Sequence, residues 1–228
     1  RGYGDSAKPP TDADHTPYSK RAMAADLAGL MTDLGFERFA VVGHDRGGRV
    51  AHRLTADNPE RVVKLAVLDI APTEHMYRLT DMEFATGYYH WFFLIQPADL
   101  PERMIGADPE FFLRRKMGQW SGKGTLFDDA AMAEYIRCFS MPETIHASCE
   151  DYRAAATIDM THDRDDMEAG ARIDIDERES NPSRVLPKLV HKISQGRQRE
   201  HSFTLESISL HLHSIKAKMS SLFPFPES

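Results

Sequence analysis

A short apolar run, Phe39-Ala40-Val41-Val42, passes without a break into Gly43-His44-Asp45-Arg46-Gly47-Gly48 and then into residues at helical spacing. Few folds accept that order. Four apolar residues in succession suit a parallel strand buried on both faces. The glycines allow a sharp turn into a helix that runs from Gly47 through Val50, Ala51 and Leu54 until Asn58-Pro59 stops it. A second apolar run, Val62 to Leu68, has Lys64 as its only charge. Upstream, Ser19 is placed to cap a helix with Met23, Leu27, Leu30, Met31 and Leu34 at the helical period and Gly35 at its end. Helix, strand, helix, strand is the pattern of a doubly wound, mainly parallel α/β sheet.

From Pro72 to about Ala169 the texture changes to apolar and aromatic residues at helical spacing, with frequent charges and no useful strand-like alternation. In an open α/β sheet the ligand sits at the carboxyl ends of the strands. A helical insertion leaving the end of the second strand is therefore placed to roof that site as a cap. Three segments are expected: a partial core over 1–71, a helical cap over 72–170, and a C-terminal segment over 171–228. The last carries a charged stretch from Asp174 to Ser180, an apolar one from Val185 to Leu189, and a tail rich in Ser and His. No internal repeat is present.

Bulk properties narrow the partners. With 228 residues, 41% hydrophobic and 28% charged, the chain reads as globular, and a net charge of -7 argues against a surface that tracks phosphates. Nucleic acid is excluded as the expected partner, and an anionic ligand must be attracted locally. No apolar run approaches the ~20 residues that cross a bilayer, so no membrane partner is expected. Two cysteines, Cys138 and Cys149, make no disulfide framework, though one bridge is compatible with them, and they favour a reducing, cytoplasmic setting. The opening Arg1-Gly2-Tyr3-Gly4-Asp5-Ser6 reads as the middle of a longer chain.

Gly43-His44-Asp45-Arg46-Gly47 has the small-x-nucleophile-x-small form of a nucleophile elbow, with Asp where esterases have Ser. A carboxylate needs no base to attack saturated carbon, and the product is an ester on the enzyme. Hydrolysis of that ester calls for a His base oriented by a second carboxylate. Asp69, directly after the second strand, is the candidate orienter; a turn or cap residue before Pro72 is the alternative. Arg46 and Arg49 share a face of the helix's first turn, where cations oppose the helix dipole unless an anion is near. Asp45 supplies one negative charge, and a substrate carboxylate, which accepts paired hydrogen bonds from guanidinium groups, is the candidate for another. The alternative is that both Arg are held by cap carboxylates or by solvent.

The stretch from Gly43 to Arg53 resembles the elbow of the haloacetate dehalogenases, including those acting on fluoroacetate, and Arg1 to Pro9 resembles the loop that precedes it. The resemblance implies an incomplete α/β-hydrolase core with a helical cap, hydrolytic removal of halide from a 2-haloacid such as fluoroacetate or chloroacetate, and no metal or organic cofactor. It makes Asp45 the nucleophile, Asp69 the acid of the dyad, and Arg46 and Arg49 the binders of the substrate carboxylate. Tyr89-His90-Trp91 is similar to the segment whose His and Trp donate to the departing halide, and Glu150-Asp151-Tyr152-Arg153 to the one whose Tyr completes that site. Trp120 resembles a pocket-lining Trp. Read without the family, His90 and Trp91 are packed aromatic residues. A homodimer is also implied.

The resemblance covers residues 1 to about 172. Relatives continue with a further core strand and a late Gly-His segment that supplies the general base. His191, His201, His211 and His213 lack those surroundings. Two rival readings follow: an epoxide hydrolase, which shares the Asp nucleophile but activates an oxygen with cap tyrosines, and an inactive remnant that keeps the pocket without turnover.

Overall fold

The computed structural model describes residues 1–121 and 127–173. After a 3-10 turn at Thr16–Tyr18, the Ser19 hydroxyl accepts a hydrogen bond from the Ala22 amide at 3.1 Å and starts α1, Lys20–Asp33. Gly35, at φ 79°, releases the chain into β1, Phe39–His44. Helix α2, Arg46–Asp57, follows at once, and β2, Val62–Leu68, pairs in parallel with β1. The pairing runs in register from Ala40 opposite Lys64 to His44 opposite Leu68. This is the β-α-β unit expected from the two apolar runs.

The burial of that unit differs from expectation. Phe39 and Gly43 are buried, but Ala40, Val42 and His44 are exposed, so β1 is covered on one face and not on both. Alternate residues of a strand point to opposite faces, and α2 packs against both strands from one side only, as a single crossover helix must. In α1 the same half-burial appears: Met23 is buried, whereas Leu27, Leu30 and Leu34 of the same apolar stripe are exposed.

Beyond β2 every described element is helical: α3 Thr73–Arg78, α4 Met82–Gly87, α5 His90–Phe93, α6 Leu100–Ala107, α7 Pro109–Trp120, α8 Asp129–Phe139, α9 Pro142–Ala156 and α10 Ile158–Glu168. Helix α9 is buried almost continuously from Thr144 to Ala155, the mark of a central helix and not of a surface one. It joins two apolar clusters. Ala147 and Ala154 pack with Tyr18, Met23, Phe39, Val50, Leu54 and Val62, while Ile145, Cys149 and Tyr152 pack with Trp91, Leu94 and Ile105.

Three charged residues of α9, Glu150, Asp151 and Arg153, are buried with the apolar ones. Buried charge is tolerated where it is paired. Arg153 Nη1 lies 2.6 Å from Glu102 and 2.8 Å from Glu150, and His15 Nδ1 is 2.8 Å from Glu150. Asp151 takes Lys20 of α1, Arg46 of α2 and the hydroxyl of Tyr3.

The expected core over 1–71 and most of the helical segment over 72–170 fall within one compact unit, Arg1–Lys116 with Phe127–Ile175. The other unit, Met117–Leu126 with Asp176–Ser228, lies almost wholly outside the described residues, as do His191, His201, His211 and His213. Cys138 and Cys149 are free thiols. No described helix is long and apolar enough to cross a membrane, and no cluster of three potential metal ligands occurs among the described residues.

Candidate active site

Asp45 sits between β1 and α2 with φ 49° and ψ -122°, a conformation that non-glycine residues adopt only when their surroundings impose it. Three features impose it. The Asp45 amide donates to Leu68 O of the neighbouring strand at 3.2 Å, and Asp45 O accepts from the Gly48 amide at 3.0 Å. A Cβ on Gly43 would lie 2.4 Å from Gly47 O and 2.7 Å from Gly48 Cα, so only glycine lets the helix fold back this closely on the strand. Gly47 meets no such limit, with nothing within 4 Å of a Cβ placed there.

Asp69 is the residue after β2, exposed and also at positive φ, 55°. Because His44 is opposite Leu68, Asp45 and Asp69 leave neighbouring strands at the same level. Both carboxylates therefore stand at the carboxyl edge of the sheet, and the field of both reaches Tyr88, which burial first and then Asp69 and Asp45 push to a higher pKa.

The two arginines differ in what they hold. Arg46 donates from Nε to Asp151 Oδ2 at 2.8 Å, and from Nη2 to Asp151 Oδ1 at 2.6 Å and to Asp151 O at 2.8 Å. Burial opposes the charge on both sides, but the pairing wins: Asp151 lies well below the usual carboxylate range because of Arg46 and Lys20. The anion that holds Arg46 is thus a carboxylate of the protein, from α9 and not from a cap. Arg49, 7% exposed, has no carboxylate partner among the described residues. It donates from Nη1 to Ala71 O at 2.8 Å and to Thr73 Oγ1 at 2.7 Å. Burial, then the neighbouring Arg46, lower its pKa to about 10, against the pull of Asp45, Tyr152 and Asp151.

His90, Trp91 and Tyr152 converge despite their separation in sequence. The Tyr152 ring lies 5.6 Å from that of His90 and 6.1 Å from that of Trp91. The Arg46 guanidinium sits 4.1 Å from the Tyr152 ring centre, and Arg49 sits 4.8 Å from Trp91. Each cation faces a ring, which adds attraction where water is excluded. Burial, then Lys116 and Arg46, drive the His90 pKa down to about 3, so its imidazole is neutral. All three residues are buried, Trp91 and Tyr152 as members of the apolar cluster, so the packed-aromatic reading and the converging-donor reading describe the same side chains.

Three buried donors here have no hydrogen-bond partner among the described residues: Arg46 Nη1, Arg49 Nε and the Tyr77 hydroxyl. The Tyr77 ring lies 5.1 Å from that of Trp91, tilted by 60°; burial raises its pKa to about 12 against the pull of Arg46 and Arg49. Orphaned buried donors are costly and rare, and a group of them around two cations is suited to accept an anion. Two open surface depressions, one beside Asp99, Leu100 and Arg103 and one beside His15, Thr157 and Arg164, involve none of these residues.

The sequence profile of the alpha/beta hydrolase fold matches residues 1–186. The chain belongs to the alpha/beta hydrolase family. Among curated proteins, this chain is 50% identical to a fluoroacetate dehalogenase of Burkholderia sp over 73% of its own length and 55% of that protein's. It is 34% identical to a soluble epoxide hydrolase of Corynebacterium sp. (strain C12), over 67% of this chain and 52% of the other. A crystal structure from Nostoc sp PCC 7120, described as an alpha/beta hydrolase, superposes with a TM-score of 0.72 at 62% identity, covering 74% of this chain and 58% of that one. The chain thus spans about half the length of the curated relatives it matches.

Sequence reasoning missed Asp151, Tyr77, Tyr88 and Lys116 as members of this region. Asp151 carried a usable signal, an acid one position before a candidate site residue on a long apolar helix; the others had none. Trp120 ends α7, and its side chain lies outside the described residues.

Proposed function

We propose that this hydrolase opens the carbon-halogen bond of a 2-haloacid. An oxygen of the Asp45 carboxylate forms a bond to the α-carbon as the carbon-halogen bond breaks, and the bonding pair departs with the halide. The product is an α-acyloxy acid bound as an ester to Asp45. Arg49, with the remaining N-H of Arg46, holds the substrate carboxylate, and His90, Trp91 and Tyr152 donate to the leaving halide. Donors arranged in advance stabilise charge that develops only in the transition state. Water then hydrolyses the ester with Asp69 orienting a His base, a base to which no described residue is assigned.

The observation that carries this reading is the buried Arg49, without a carboxylate partner and with Nε unsatisfied among the described residues, on the first turn of the helix that Asp45 begins. A simple epoxide carries no carboxylate and offers such a cation one neutral oxygen, without the counter-charge and paired acceptors that match a guanidinium. The epoxide hydrolase alternative draws on the buried Tyr152, on the buried hydroxyl of the half-buried Tyr77 and on the Corynebacterium relative. The inactive-remnant reading draws on the unassigned base.

Incubation with chloroacetate, followed by chloride counting and peptide mass analysis, tests the proposal. The expected outcome is about one chloride released per chain and an ester on the peptide containing Asp45. Sustained turnover would place a C-terminal His at the site. Neither chloride nor ester, together with diol formation from an aliphatic epoxide, would replace this reading by the epoxide one.

A further inference from the structure

The surroundings of His90 decide which of its ring nitrogens carries hydrogen. Lys116 Nζ lies 3.3 Å from His90 Nδ1 and sits 4.4 Å from the centre of the Tyr89 ring. An ammonium has three N-H donors and no acceptor, so the nitrogen facing it accepts. A neutral imidazole carries a single N-H. With Nδ1 accepting, the hydrogen belongs on Nε2, a buried atom of the ring that meets Tyr152 edge-on at 5.6 Å between centroids. Both cations that act on His90, Lys116 and Arg46, disfavour a second proton on the ring, and burial acts in the same direction.

We propose that Lys116 is a positioning residue that holds His90 in its Nε2-H tautomer, so that the ring presents an N-H to the departing halide beside Trp91 and Tyr152. The halide part rests on the dehalogenase reading above; the tautomer part stands without it. In the opposite tautomer Nε2 would present a lone pair to a developing anion. A donor would become a source of repulsion with no change in the fold. Lys116 therefore acts on the reaction through His90, in the way second-sphere partners orient a ligating or catalytic imidazole elsewhere.

The test reads the tautomer directly. The chain labelled with 15N-histidine is examined by long-range 1H-15N correlation near pH 7, with His90→Gln identifying the signal. The expected result is a neutral His90 with hydrogen on Nε2 in the parent chain and in Lys116→Arg. Lys116→Met should give a mixture, and Lys116→Glu, which offers an acceptor, should move the hydrogen to Nδ1. An Nδ1-H signal in the parent chain, or an unaltered signal in Lys116→Met, overturns the proposal. Single-turnover chloride release from chloroacetate should fall about tenfold in Lys116→Met, a part of what loss of a whole transition-state donor costs. It should recover in Lys116→Arg, while the half-saturating concentration stays unchanged. A tautomer that follows Lys116 with an unaltered release rate removes the halide role from His90. The same tautomer result with no chloride from any form leaves Lys116 as the tautomer-setting residue and ends the dehalogenase reading.

Discussion

Asp45 and Asp69 occupy matched positions at the carboxyl ends of adjacent parallel strands, each one residue beyond the paired His44 and Leu68, and each at positive φ. The sheet thus delivers two carboxylates to one edge through two strained turns. Such strain at a non-glycine residue costs of order 1–3 kcal/mol and persists where surroundings over-determine it.

Relief of that strain at Asp69 should separate stability from chemistry. Asp69 is exposed, so Asp69→Gly removes the left-handed penalty and sacrifices little packing. Unfolding by urea should shift to higher denaturant by about 1 kcal/mol of stability. Any hydrolysis of the Asp45 ester should slow. A loss of stability would mean that Asp69 holds its turn through its side chain.

The two glycines on either side of Asp45 should respond in opposite directions. Gly43→Ala forces a Cβ against Gly47 O, Gly48 Cα and Ala51 Cβ, all within 2.8 Å, and should destabilise by about 3 kcal/mol or more. Gly47→Ala meets open space in a helix and should be neutral or stabilise by up to roughly 1 kcal/mol. Thermal denaturation of the two variants side by side decides this.

Arg49→Lys should weaken chloroacetate binding at least about tenfold, equivalent to roughly 1.4 kcal/mol. The guanidinium spends Nη1 on Ala71 O and Thr73 Oγ1 and keeps Nε for another partner, a division that an ammonium on a single stem cannot copy. Half-saturation for halide release is the measurement. An unchanged value would move the carboxylate elsewhere in the site.

Asp151 should govern acid stability. Arg46, Lys20 and Tyr3 face it, with Asp159 behind Lys20, and its folded pKa is depressed. As pH falls below the ordinary carboxylate value of about 4, the unfolded chain takes up a proton that folded Asp151 refuses, and this contribution to stability is lost progressively. Asp151→Asn should flatten that acid limb and lower stability at pH 7 by about 3–5 kcal/mol, the usual cost of stranding a buried partner charge. Urea midpoints from pH 7 down to pH 3 test both points, and a variant whose acid limb matches the parent's would exclude Asp151 as its source.

What the sequence alone determined is what short stretches of chain dictate. Ser19 and Gly35 bracket α1, the apolar runs become β1 and β2 in parallel, and Gly43 allows Asp45 its turn, because capping, period and close backbone approach depend on residues a few positions apart. Residues 72–170 read as helical, and every described element among them is a helix. Tertiary structure decided the partners. Arg46 meets Asp151 across 105 positions and Lys20 meets it across 131, while the apolar stripe of α1 is only half buried. No local pattern encodes which acid of a buried helix will face which cation, or which side of a strand will find cover. Those outcomes depend on how α9 passes behind the turn at Asp45, and that is set by the packing of two apolar clusters drawn from the whole described chain.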